Sequence, residues 1–141
     1  MPRTTASAEQ PDPTVELERA AVDAVEANAM LAQQVAWTNR VPASATQSTR
    51  GVALSNMRHA AAENARAGVR VKTIDARTRV LSVTVDPSFG QATARVVAVQ
   101  RLNVYRRGRP PQRRRLTERA TIVLKRLGRG EPARFVVWRV R

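Results

Sequence analysis

Apolar residues change their spacing once along this chain, near residue 69, and the change separates a helical half from a stranded half. Before it, Leu17, Ala21, Ala24, Asn28, Leu31, Val35 and Thr38 recur at steps of four and three. One face of an amphipathic helix has that spacing, and Pro42 lies just beyond its end. Thr14 is the expected N-cap, with Glu16 and Glu18 in the first turn, where the helix dipole favours anions. A second helix is expected from about Ser44 to Ala67, with Leu54, Met57, Ala61 and Ala65 as its apolar stripe and Gly51 as a weak point. Gly68 stops it in a left-handed C′ conformation, and Val69 packs back on the helix.

From Val71 the period falls from about 3.6 to about 2. Leu81, Val83 and Val85 alternate with Ser82 and Thr84, and Asp86-Pro87-Ser88-Phe89-Gly90 closes that strand as a turn. The next strand, Gln91 to Arg107, sends Ala94, Val96, Ala98, Leu102 and Val104 to one side and Arg95, Val97, Val99, Arg101, Asn103 and Tyr105 to the other. A hairpin tip at Gly108-Arg109-Pro110-Pro111 leads to a strand from Arg113 to Gly128, with Leu116, Ala120, Ile122 and Leu124 inward. A last turn at Gly128 to Pro132 precedes Phe135 to Val140. The fold class expected is α+β: two N-terminal helices packed on a curved, cone-like, four-stranded antiparallel sheet, because long strands with one apolar face need a cover.

At 141 residues one domain is expected, spanning residues 14 to 141 after a disordered leader at 1 to 13 that ends in the Pro11-Asp12-Pro13 cluster. Five aromatic residues leave the core to Val, Leu and Ala. The absence of cysteine removes disulfides, thiolate metal sites and cysteine nucleophiles. The longest uncharged stretch, Ala27 to Asn39, has 13 residues, short of the roughly 20 that cross a bilayer. The polar, Pro-bearing start lacks the apolar centre of a secretory signal. The compartment stays open: the cytoplasm is favoured for the sequence as it stands, an extracytoplasmic site if an N-terminal anchor was removed.

Charge follows the same division. Residues 1 to 70 hold seven Arg against seven Asp and Glu, whereas residues 71 to 141 hold sixteen Arg and two Lys against Asp75, Asp86, Glu118 and Glu131, so 18 − 4 = +14. Arg106, Arg107, Arg109, Arg113, Arg114 and Arg115 crowd around the Pro-Pro tip, where guanidinium groups can hold phosphate or carboxylate bidentately. Arg95, Arg101, Thr117, Arg119 and Lys125 extend the basic surface along the outer sheet face.

This arrangement resembles the nuclear transport factor 2-like superfamily, also called cystatin-like, and especially its small bacterial members. The resemblance rests on the helix end Ala67-Gly68-Val69, the strand opening Gln91-Ala92-Thr93-Ala94-Arg95-Val96 and continuing to Tyr105, the strand Thr117 to Leu127, and the closing Phe135-Val136-Val137-Trp138-Arg139-Val140. It implies a cone between helices and sheet, with Trp37, Glu118 and Trp138 as candidate cavity residues, and a homodimer formed through the sheet. It also implies a range of roles, from isomerases and dehydratases to partner-binding modules, so fold leaves function open.

Candidate chemistry is sparse. An enzyme of that superfamily would place an Asp or His base and a Tyr or acid donor inside the cone. The single histidine, His59, is offset from its helix stripe, which suits a solvated rim position, and Tyr105 shares its strand face with Arg95, Arg101 and Asn103. Glu118 alternates with the inward residues, and a carboxylate there needs an arginine, such as Arg101 or Arg114, or a raised pKa. One His and no Cys form no recognisable metal-ligand spacing, and no glycine-rich phosphate loop joins a strand to a helix. No cofactor and no catalytic residue are therefore assigned. The arginine excess admits three readings: the composition of a GC-rich genome, an acidic protein or anionic membrane surface as partner, or sequence-independent contact with nucleic acid. The favoured function is a non-catalytic binding or assembly module that presents its basic hairpin to an acidic partner. A small-molecule or isomerase-like cone and nucleic-acid binding are the alternatives.

Overall fold

The computed structural model describes residues 12–141. Helix α1 (Pro13–Thr38) and helix α2 (Gly51–Ala67) precede four strands, β1 (Val69–Val85), β2 (Gln91–Arg106), β3 (Gln112–Arg126) and β4 (Phe135–Val140). The strands form an open antiparallel sheet in the order β1-β2-β3-β4. The α+β architecture expected from the change of period is present. The leader assigned to residues 1 to 13 lies largely outside the described residues, and its last two positions are ordered. Asp12, not Thr14, is the N-cap: its carboxylate accepts the Thr14 N–H at 2.9 Å, and Pro13 takes the first helical turn, where its missing N–H costs nothing.

The stripe of α1 is buried as its spacing requires. Leu17, Ala21, Ala24 and Val25 pack on Ala92, Ala94, Val96, Ile122, Leu124, Phe135 and Val137, and these residues fill the space between helix and sheet. Farther along, Leu31 and Val35 meet Ala45, Leu54 and Ala61. Asn28 sits in this stripe because its side-chain amide donates to Thr49 Oγ1 at 2.8 Å, and Thr49 is fully buried. That bond helps hold segment 48–50 against β4, where Arg50 N–H donates to the Val137 carbonyl and Val137 N–H to the Ser48 carbonyl.

The same segment breaks the second helix. The continuous helix expected from Ser44 becomes a 3-10 turn, Ala43–Gln47, followed by α2 from Gly51, because Thr49 forms a bridge to Val137 of β4 and Arg50 is extended beside it. Gly51 turns the chain back into helix at φ +59°, and the Trp138 ring occupies the space a Cβ would need. Its buried residues are Ala53, Leu54 and Ala61, whereas Ala65, assigned to the stripe, is exposed.

Strand β1 departs from simple alternation twice. Register shifts between Thr73 and Asp75, and between Val80 and Ser82, leave Ile74 and Leu81 as extra residues, 53% and 47% exposed. Leu81 was expected to share a face with Val83 and Val85; the bulge expels it, and Val80 packs toward the core in its place. No described helix is long and apolar enough to cross a membrane.

Candidate functional site

The antiparallel register turns a basic sequence into a basic surface with defined rows. On the outer face, Arg79, Val97 and Arg119 lie side by side across β1, β2 and β3; the next row is Arg77, Val99 and Thr117, and the next Asp75, Arg101 and Arg115. All the arginines in these rows are exposed, and both valines are half-buried. A shallow groove of about 410 Å³ follows them, lined by Arg77, Arg79, Val97, Val99, Arg101 and Arg115. The sole carboxylate in these rows, Asp75, stands 3.9 Å from Arg101.

The six arginines around the hairpin tip are all exposed, but the fold distributes them. Arg106 pairs with Val69, and Arg107 N–H donates to the Gly68 carbonyl, which fastens the end of β2 to the end of α2. Both line a cleft of about 360 Å³ with Asn39, Gly68, Arg70 and Tyr105. Their charge there faces the negative end of the α2 dipole. Arg109 occupies the turn itself, with its N–H on the Arg106 carbonyl. Arg113 and Arg115 stand opposite Asn103 and Arg101, while Arg114 stands opposite Leu102 and so belongs to the other face. Arg101 and Arg113 to Arg115 rim a second groove of about 510 Å³ with Ile74 and Leu102.

The three candidate cavity residues do not meet in one cavity. Trp37 ends α1 and is held by its own chain: the Arg70 guanidinium lies 3.9 Å from the ring centre, its Nε donates to the Trp37 carbonyl, and Tyr105 packs edge-on at 5.5 Å. An open cleft of about 750 Å³ passes beside it, lined also by Met30, Leu31, Gln34, Gln47 and Arg134. Trp138 sits on Gly51, with Lys125 Nζ 3.9 Å from its ring centre. The skipped residue in the β3–β4 register is Trp138, so a bulge aims it there. Glu118 is exposed, contrary to its interior assignment. Its parity is inward, but the helical cover reaches only as far as Ala120 on this strand, so the carboxylate meets solvent.

The salt bridges expected for Glu118 are not formed. Arg101 turns to Asp75, and Arg114 donates to Gln112 Oε1 at 3.3 Å. His59 is 71% exposed and lies 3.1 Å from Glu63 one helical turn on, a solvated pair. Among the described residues, no three His, Asp or Glu side chains gather to hold a metal. Sequence reasoning placed Val97 and Val99 on the outer side of their strand but missed the arginines of β1 that flank them. Arg77 and Arg79 alternate plainly enough, but only the register sets them beside Val99 and Val97.

No family model matches the chain, and no curated protein matches it. Among solved structures it is similar to the intermembrane space region of chloroplast protein ARC6, with a TM-score of 0.73 over 94% of this chain and 96% of that one, at 14% identity. The likeness is one of fold. Helix pair and open sheet are shared as an architecture, which transfers neither partner nor reaction.

Proposed function

We propose that this chain is a non-catalytic binding module of nuclear transport factor 2-like type, whose arginine surface engages an acidic partner. The observation that supports it best is the shortage of internal counter-charge. Among the described residues, only Arg101 with Asp75 at 3.9 Å and Arg126 with Glu131 at 3.6 Å pair arginine with carboxylate. The remaining guanidinium groups keep donors free for carboxylate or phosphate oxygens. The filled interior beneath the first half of α1 weighs against a small-molecule cone there, and the packing of Tyr105 on Trp37 weighs against base stacking. A homodimer through the outer sheet face would set the patch of Arg77, Arg79 and Arg119 against the same patch of the second copy in an isologous contact, a like-charge cost.

The test is binding to a polyglutamate peptide at low and moderate salt, for the wild type and for a variant with Gln at Arg106, Arg107, Arg109, Arg113, Arg114 and Arg115. Salt-sensitive binding that the variant weakens is the expected result. Absence of binding at low salt overturns the proposal. Tighter binding to generic double-stranded DNA, with its steep salt dependence, would favour the nucleic-acid reading instead.

A further inference from the structure

We infer that the outer face of β1, β2 and β3 is a docking groove for an acidic amphipathic α-helix supplied by another protein. This rests on the acidic-partner reading above and names the shape of the partner. The groove has an apolar floor and basic walls. Val97 and Val99 lie in line on the central strand, Arg77 and Arg79 stand on β1 to one side, and Arg115 lines the groove from β3 on the other, where Thr117 and Arg119 continue the row in register with the valines. Purely compositional filling of solvent positions with arginine explains the walls; it does not explain two valines at consecutive outward positions of the strand between them.

Width selects a helix as the occupant. Adjacent strands are about 4.8 Å apart, so the backbones of β1 and β3 are roughly 10 Å apart and arginines rising from them flank a body laid on the face over β2. A helix with side chains is about 10 to 12 Å across. Laid along β2, its apolar stripe meets Val97 and Val99 while carboxylates on both flanks reach Arg79 and Arg119. An extended peptide has no comparable fit, since it adds to a sheet at an edge and not on a face. Two other occupants fit less well. A second copy docking face to face would bring arginine to arginine, and a lipid surface would have to admit valines recessed between guanidinium rows.

The probe is a synthetic peptide of about 18 residues with leucine at helical spacing and glutamate on both flanks. Its control has the same composition in an order that forms no apolar face. Binding to the full chain is read by fluorescence anisotropy. The amphipathic peptide is expected to bind about tenfold more tightly than the control, and both Val97→Thr with Val99→Thr and Arg79→Gln with Arg119→Gln are expected to remove most of that advantage. Thermal melting checks that the threonine variant folds; the arginine variant changes exposed side chains alone and serves if it does not. If both peptides bind equally, the groove inference is overturned while the acidic-partner reading stands; if neither peptide binds at low salt, both fall. Self-association of the chain, or binding to phosphatidylserine vesicles, that competes with the peptide and depends equally on Val97 and Val99 would also overturn the assignment to a partner helix.

Discussion

From Ile122 to Lys125, β3 is paired on both sides, by β2 and β4, and its Leu124 is fully buried in the cluster with Leu17 and Ala21. From Gln112 to Arg119 the same strand pairs only with β2 among the described residues, and every residue except Leu116 is exposed. Alternation runs unbroken through both halves. What differs is the neighbour: α1 and β4 cover one half and stop short of the other. An inward parity is therefore a statement about direction, and burial is a separate fact that depends on what stands opposite. Glu118 and Leu124 have the same parity, and only one of them is in the core.

The comparison is broken most directly by truncating one leucine from each half. Leu124→Ala should cost about 2 to 5 kcal/mol of unfolding free energy through lost burial and a cavity, whereas Leu116→Ala should cost less than about 1. Urea denaturation measures both, and similar losses would mean that the hairpin half is packed against something. Next in size is the corner where the covered half is closed. Gly51→Ala should cost about 1 to 3 kcal/mol, from the left-handed φ and from the collision with Trp138. In a Trp138→Ala background the collision is removed and the cost should shrink, so a double-mutant cycle separates the two causes.

A smaller loss, about 1 to 2 kcal/mol, is expected for Thr49→Val, which keeps the shape of a buried side chain but leaves the Asn28 amide without its acceptor. Thermal melting should show it, and a neutral result would mean that water replaces the hydroxyl. The smallest effect belongs to the exposed β1–β2 turn. Asp86 accepts from the Ser88 N–H and hydroxyl, both at 2.8 Å, and these bonds hold its pKa below the ordinary Asp value. Because the folded pKa is the lower one, the stability this turn adds is present above about pH 3.9 and is lost as pH falls through the depressed value. Ser88→Ala removes one of the two bonds and should move the carboxyl titration of Asp86, followed by NMR, part of the way back. No movement would assign the whole effect to the backbone bond.

The order of elements was legible because each rests on local chemistry. Helical spacing from Leu17 to Val35, the glycine stop at Gly68, the alternation in β2 and the Pro-Pro hairpin tip each act within a few residues of themselves. Errors arose where a distant segment intervened. Segment 48–50 is drawn onto Val137, nearly ninety residues away, and so leaves the helix. Leu81 is displaced by a bulge whose cause lies in the pairing with β2. The hairpin arginines were foreseen as one patch; the fold gives Arg106 and Arg107 to the end of α2, and Arg113 to Arg115 to the grooves on β3.

By itself, then, the sequence determined the order of helices and strands, which residues of β2 and β3 share a side, and that positive charge belongs to the stranded half. Periodicity, capping and composition are local properties, and they need no partner to be read. The tertiary structure alone decided which inward positions are covered, which helix is broken, and which arginines stand beside which valines. Those outcomes depend on register and on the reach of α1 and β4, and they are set by residues far apart in the chain.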